Sequence, residues 1–140
     1  MKVKIKRLTP NSVIPTYAKE GDAGLDLTAT SKFVDESGNV VYGTGLAFEI
    51  PQGYVGLVFP RSSNAKKDLW LTNSVGVIDS GYRGEVTFKY RPISFKEREY
   101  AVGERVGQLI IMPYPHIEFE EADELSESER STGGYGSSGK

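Results

Sequence analysis

Glu85-Val86-Thr87-Phe88-Lys89-Tyr90 alternates polar and apolar side chains without a break, the period-two pattern of a strand with one face in a core and one in water. Working outward, the same alternation recurs in short pieces at Val3 and Ile5 among lysines and at Leu25 and Leu27 around Asp26. Between these pieces stand Asp35–Asn39 (DESGN), Pro51–Gly53 (PQG), Asp79–Gly81 (DSG) and Val102–Glu104 (VGE), each rich in residues that reverse a chain. Many short strands at such spacing predict an all-β sandwich or barrel. Tyr54–Phe59 (YVGLVF) and Val106–Met112 (VGQLIIM) are nearly continuous in apolar character and are expected to be central strands covered on both faces. Helix is expected only as a turn or two over Ser63–Leu69 (SNAKKDL), which has too few apolar positions for an amphipathic face.

The chain's 140 residues suit one domain with one core. With no cysteine and a single histidine, His116, disulfides, thiolate metal sites and multi-histidine zinc sites are excluded, so any metal should be a hard, oxygen-seeking cation. A net charge of -2 gives no basic footprint for nucleic acid, and no apolar run approaches a membrane span. The start, MKVKIKRLTP, lacks the apolar middle of a signal peptide, so a cytoplasmic protein without nucleic-acid or membrane partners is expected. From about Glu118 the composition turns acidic and then rich in glycine and serine, which cannot bury enough apolar surface to order itself. The expected organisation is therefore a catalytic β-barrel over residues 1–118 and a flexible tail over 119–140.

Chemistry-bearing residues punctuate this pattern. In the tail, Arg130 precedes glycines that flank Tyr135, followed by Gly136, Ser137 and Ser138; a guanidinium, turned backbone amides, hydroxyls and a stacking ring together suit a closing lid over a nucleotide. Taken alone the segment equally fits a frayed terminus. Arg61-Ser62-Ser63 emerges after Pro60 at the end of an apolar run, where its donors suit a polyphosphate or an ordinary surface turn. Gln108 sits inside VGQLIIM, where a buried amide needs partners, structural or ligand. Asp79, before Ser80-Gly81, is either a turn aspartate or a carboxylate held for a water; Asp26 is either a solvated or ion-paired residue or a holder of the waters around Mg²⁺.

In order and spacing these segments resemble the five motifs of the trimeric dUTPases: Ala23–Leu27 (AGLDL), Pro60–Ser63 (PRSS), Asn73–Glu85 (NSVGVIDSGYRGE), Gly103–Ile110 (GERVGQLI) and Arg130–Gly139 (RSTGGYGSSG). The resemblance implies a jelly-roll-like β-barrel in a homotrimer, with a swapped C-terminal tail and active sites shared between subunits. It implies a dUTP diphosphatase that uses Mg²⁺ and releases dUMP and pyrophosphate, limiting uracil in DNA and supplying dUMP for dTMP synthesis. Carried onto this chain, Asp79 activates the attacking water, and Arg61, Ser62, Ser63 and Gln108 hold the phosphates. Asp26 touches the metal through water; Asn73, Val77 and Ile78 meet the uracil, and Tyr82 lies against the sugar. Arg130, Ser137 and Ser138 clamp the terminal phosphate, with Tyr135 and Gly136 over the base. The chain departs from the family pattern at Ser63, Gly107 and Tyr135, which stand where glycine, alanine and phenylalanine are usual; the first two put fine positioning in question. Two other readings are a dCTP deaminase of the same fold and a regulatory protein acting through a protein partner. The deaminase family's catalytic glutamate beyond the hairpin has no counterpart here, where Val86-Thr87-Phe88-Lys89 follows Glu85, and nothing needed for catalysis is missing.

Overall fold

The computed structural model describes residues 1–94 and 98–134. Among them are ten strands: β1 (Lys4–Arg7), β2 (Leu25–Thr28), β3 (Ser31–Val34), β4 (Val40–Gly43), β5 (Leu46–Glu49), β6 (Tyr54–Phe59), β7 (Leu69–Leu71), β8 (Gly76–Ile78), β9 (Thr87–Pro92) and β10 (Arg105–Pro113). The only helical element among the described residues is a 3₁₀ turn, Ser62–Lys66, within a residue of where the sequence allowed one. Each expected reversal closes with a backbone hydrogen bond, as where the Tyr54 amide donates to Pro51 and the Tyr82 amide to Asp79.

All strand pairs are antiparallel. One four-stranded sheet runs β2-β10-β6-β8, a second runs β3-β4-β9-β7, and β1 and β5 form a ribbon. Leu27, Val58, Val106 and Leu109 from the first sheet meet Val40, Tyr42, Phe88 and Tyr90 from the second in one core, the two-sheet arrangement of a jelly-roll-like barrel. The alternation that opened the reading holds: Val86, Phe88 and Tyr90 are buried and Thr87 and Lys89 exposed. Inside, Tyr90 donates to the Val106 carbonyl at 2.6 Å and Tyr42 to that of Tyr100 at 3.1 Å, so the buried phenols are satisfied. Desolvation pushes the Tyr42 hydroxyl up to about 12, keeping it a neutral donor.

β6 and β10 are central, as expected, but the single chain covers only one of their faces. Val58, Val106 and Leu109 are buried, whereas Val55, Leu57, Phe59 and Ile110 are half-buried and Met112 is exposed. The register aligns Phe59 with Gln108, Leu57 with Ile110 and Val55 with Met112, so these side chains form one outward apolar stripe. Val77 of β8, aligned with Leu57, extends it.

Gly107, a departure from the family pattern, has a packing reason. A Cβ there would collide with the Phe88 ring, which is fully buried and stacks on Tyr90 with centroids 6.4 Å apart. The aromatic ring occupies the space a methyl would need. Below the core, Asp68 is buried and binds Arg98 through both carboxylate oxygens, at 2.8 and 2.9 Å, stapling the chain before β10 to the start of β7. The Arg98 guanidinium holds the Asp68 carboxyl down at about 2, from an ordinary 3.8.

Two stability outcomes follow from this packing. Gly107→Ala should lower the unfolding free energy by about 1–3 kcal/mol, and Phe88→Leu in the same chain should recover part of it, read from urea denaturation midpoints. Because the folded pKa of Asp68 is depressed, its contribution is present above pH 3.8 and is lost as pH falls toward about 2. Asp68→Asn should therefore lower the midpoint at neutral pH, with the gap to wild type closing across that window.

Candidate active site

Three of the sequence segments converge at one end of the β2-β10-β6 sheet. Antiparallel register sets Gln108 of β10 beside Asp26 of β2 on one side and Phe59 of β6 on the other, with all three side chains on the outward face. Pro60 and Arg61 continue from β6 into the same corner. The Gln108 amide donates from Nε2 to the Pro60 carbonyl at 3.0 Å, and its Oε1 lies so close to Gly24 that any Cβ there would collide with it. Gly24 thus makes room for Gln108, which explains why a backbone without a side chain precedes Leu25.

The Asp26 carboxylate is the electrostatic hub of this corner. Its Oδ1 accepts from Arg61 Nε at 2.8 Å and its Oδ2 from Arg105 Nη1 at 3.1 Å. Asp26 is thus ion-paired within its own chain, whereas the sequence reading allowed a solvated residue, an ion pair between subunits or a holder of the waters around Mg²⁺. Arg61 is fixed a second time, by Nη1 to the Ser63 hydroxyl at 3.2 Å. Ser63 holds the arginine directly, so its departure from glycine supplies a positioning group. Ser62 is exposed beside it.

A separate cavity of about 200 Å³ is lined by Asn73, Val77, Ile78, Asp79 and Tyr82, with Val58 and Val86 at its base. The segment expected to be a hairpin thus brings those five together, although β8 pairs with β6 and not with β7 or β9, so the segment crosses between the sheets instead of folding back on itself. Tyr82 donates to the Glu85 carbonyl at 3.0 Å, which fixes its ring at the rim, and Asp79 is exposed to solvent. Next to Asn73, Ser74 adopts a left-handed φ of 61°, a conformation that a non-glycine residue holds only under constraint from its surroundings.

The hairpin cavity and the arginine corner do not meet within one chain. β8 pairs Ile78 with Gly56, so Asp79 lies near one end of β6 while Arg61 follows the other. At the rise of a strand this is a separation of roughly 20 Å. Arg130 lies in the exposed tail, where its Nε donates to the Gly133 carbonyl at 2.9 Å, and it lines neither cavity. Tyr135, Gly136, Ser137 and Ser138 lie outside the described residues.

Sequence reading singled out no role for Arg105, Lys66, Lys67 or Arg98, yet all four line a cavity with Arg61 and Ser63. Arg105 could have been found from its place three residues before Gln108. Arg98 carried no local signal, because only the fold of the segment before β10 brings it here.

Removing the hub should be costly in a specific way. Asp26→Ala leaves two guanidinium groups without their carboxylate, and an expected loss of about 1–3 kcal/mol in denaturant unfolding checks this; Asp26→Asn, which keeps an acceptor oxygen, should lose less.

Comparison with known proteins agrees with this geometry. The dUTPase family model matches residues 10–139. The deoxyuridine 5'-triphosphate nucleotidohydrolase of Hydrogenobaculum sp. is 40% identical over 142 residues, covering 99% of each chain. That of Nautilia profundicola is 41% identical and covers 100% of each. Among solved structures, the dUTPase of Staphylococcus bacteriophage 80alpha with dUPNHPP superposes with a TM-score of 0.81 at 30% identity, covering 99% of this chain and 98% of that one. With sequence, fold and the clustering of the site segments in agreement, the chain belongs to the dUTPase family.

Proposed function

We propose that the protein hydrolyses dUTP to dUMP and pyrophosphate at a site assembled from more than one copy of the chain. The observation that carries this reading is the split of the chemistry: a base-sized cavity bearing Asp79 and a cationic corner bearing Arg61 and Gln108 are complementary halves held roughly 20 Å apart in one protomer. A second copy would supply the missing half. The outward stripe of Leu57, Phe59, Ile110, Met112 and Val77 offers the apolar surface for that assembly, and closed symmetry then repeats the contact, a trimer in this reading.

In the assembled site the uracil enters the hairpin cavity. There the Asn73 amide and the backbone of Val77 and Ile78 meet its polar edge. Cytosine would present an amino donor in place of a carbonyl acceptor and leave buried groups unpaired, a mismatch that discriminates strongly. Tyr82, at the rim, packs on the deoxyribose where a 2′-hydroxyl would crowd it. Arg61, Ser62, Ser63 and Gln108 bind the phosphates. Asp79 accepts a proton from the water that attacks the α-phosphorus; the bond to the bridging oxygen breaks and pyrophosphate leaves.

Mg²⁺ fits this donor set as an ion carried by the nucleotide. No three His, Cys, Asp or Glu side chains among the described residues gather into a ligand cage, and Asp26 offers carboxylate oxygens with lone pairs beyond those used by the arginines. Such an ion typically keeps several waters and takes one or two carboxylates plus phosphates. When bound, it would offset phosphate charge and orient the chain for in-line attack. The tail from residue 119, with Arg130, Tyr135, Gly136, Ser137 and Ser138, would close over the bound nucleotide, residues 1–118 being the barrel. No helix among the described residues is long and apolar enough to cross a membrane, in keeping with the proposed cytoplasmic location.

Turnover and assembly test the reading together. Asp79→Asn should lower kcat for dUTP by about 10²–10⁴-fold while binding of a non-hydrolysable dUTP analogue persists. Arg61→Ala should also be inactive. Co-expressing the two inactive chains should restore part of the turnover, since mixed assemblies contain sites with Asp79 from one chain and Arg61 from the other. Absence of any recovery from well-mixed oligomers would refute the shared site, and wild-type release of ammonia from dCTP would instead favour deamination.

A further inference from the structure

Arg61 and Ser63 line a cavity of about 600 Å³ with Arg105, and it reaches beyond the segments recognised in the sequence, to Lys66, Lys67 and Arg98. Among the described residues its lining holds a single carboxylate, Glu104, which is engaged by Lys67 at 3.4 Å and by the Ala101 amide. Lys67 is further occupied with the Glu99 carbonyl at 3.0 Å and stands 4.6 Å from the centroid of the Tyr100 ring. Arg105 is drawn to Asp26.

Arg98 is held differently. Its Nε and Nη2 both donate to Asp68, which takes up one edge of the guanidinium; among the described residues Nη1 and the second Nη2 hydrogen have no acceptor. The burial is unequal: the Asp68 side chain is 11% exposed and that of Arg98 is 58% exposed. A buried acid beneath an exposed arginine fixes the direction of the guanidinium, and Arg98 lines the cavity with Arg61. The Asp68 amide also donates to the Arg98 carbonyl at 3.2 Å, so main chain and side chain are pinned together.

A nucleoside triphosphate is a linear ligand. If the base occupies the hairpin cavity and the α-phosphate lies near Asp79, the anionic end farthest from the base extends into the cationic cavity. We propose that Arg98 is a further substrate-binding residue, donating from its free edge to the phosphates that leave as pyrophosphate. The assignment rests on the dUTP-hydrolysing reading above. It places on the segment before β10 a phosphate contact fixed by an acid on the segment before β7.

Comparing ligands that do and do not carry the leaving phosphates tests this. Arg98→Ala should raise the KM for dUTP about tenfold, the usual scale for losing one charge-assisted hydrogen bond, with kcat changed by less than about threefold. Inorganic pyrophosphate should inhibit more weakly by a similar factor, whereas inhibition by dUMP, which lacks those phosphates, should stay at the wild-type level. Arg98→Lys should restore part of the pyrophosphate affinity. Equal weakening of dUMP and pyrophosphate, or a lowered Tm with unchanged KM, would overturn the proposal and leave Arg98 as a staple for its loop. If Arg98→Ala does not fold, Arg98→Lys and Arg98→Gln carry the same comparison. Wild type that fails to turn over dUTP would defeat the underlying reading; calorimetric binding of pyrophosphate to wild type and Arg98→Lys would still decide the role of Arg98.

Discussion

One of the strands hydrogen-bonded on both edges, β10, governs everything else in the site. Its register against β2 and β6 sets Gln108 level with Asp26 and Phe59, and the period-two pleat sends all three to the outward face while Leu109 goes to the core. A slip of one residue would bury the amide and expose the leucine, two errors whose costs add. The register is locked from inside by Val106 and Leu109, and next to them Gly107 leaves space for the Phe88 ring. The hydrophobic core thus acts on the chemistry through geometry, by fixing which atoms of a polar corner can touch.

That corner is built on compensated charge. Three arginines stand around it, and each has a carboxylate: Asp26 serves Arg61 and Arg105, and Asp68 serves Arg98. A cluster of like charges without such partners would repel itself and cost stability before any ligand arrived. Partners also fix direction, because a guanidinium bound along one edge offers its remaining donors in a known plane. A site made this way is held in shape at the expense of some positive potential. In the proposed reading its selectivity for phosphate would rest on donor geometry more than on net charge, which fits a chain whose formal charge is only -2.

The alternation around Phe88, the reversals and the central place of YVGLVF and VGQLIIM were legible in the sequence because each rests on local stereochemistry. Coverage of both faces was not. Composition cannot distinguish a face buried by the same chain from one prepared for another copy, and Leu57 and Ile110 satisfy either description. For the site, the grouping of Asn73, Val77, Ile78, Asp79 and Tyr82 was readable because a hairpin keeps sequence neighbours together. The partners of Ser63 and Gly107, Arg61 through its Nη1 and the Phe88 ring, were not legible in the sequence, being a matter of side-chain contact. Arg98 was invisible because Asp68, its partner, is thirty residues away.

The division between hairpin cavity and arginine corner has a mechanistic consequence of its own. In the proposed reading the uracil meets Val77 and Ile78 on β8, a short strand at the sheet's edge, whereas the phosphates meet Gln108 on β10 and Arg61 just after β6, two strands held from both sides. Placing Asp79 with the base and Arg61 with the phosphates means that the attacking water and the group it attacks are oriented by separate bodies. Correct alignment then depends on the relative placement of the two bodies, which the apolar stripe of Leu57, Phe59 and Ile110 would determine across an interface. Since misplacement of about an ångström can cost two orders of magnitude in rate, such an interface has to be rigid as well as adhesive. Large apolar side chains on two paired central strands meet that requirement better than a rim of flexible lysines, whose ordering would cost side-chain entropy. The same stripe that a single chain leaves half-covered is then a component of catalysis.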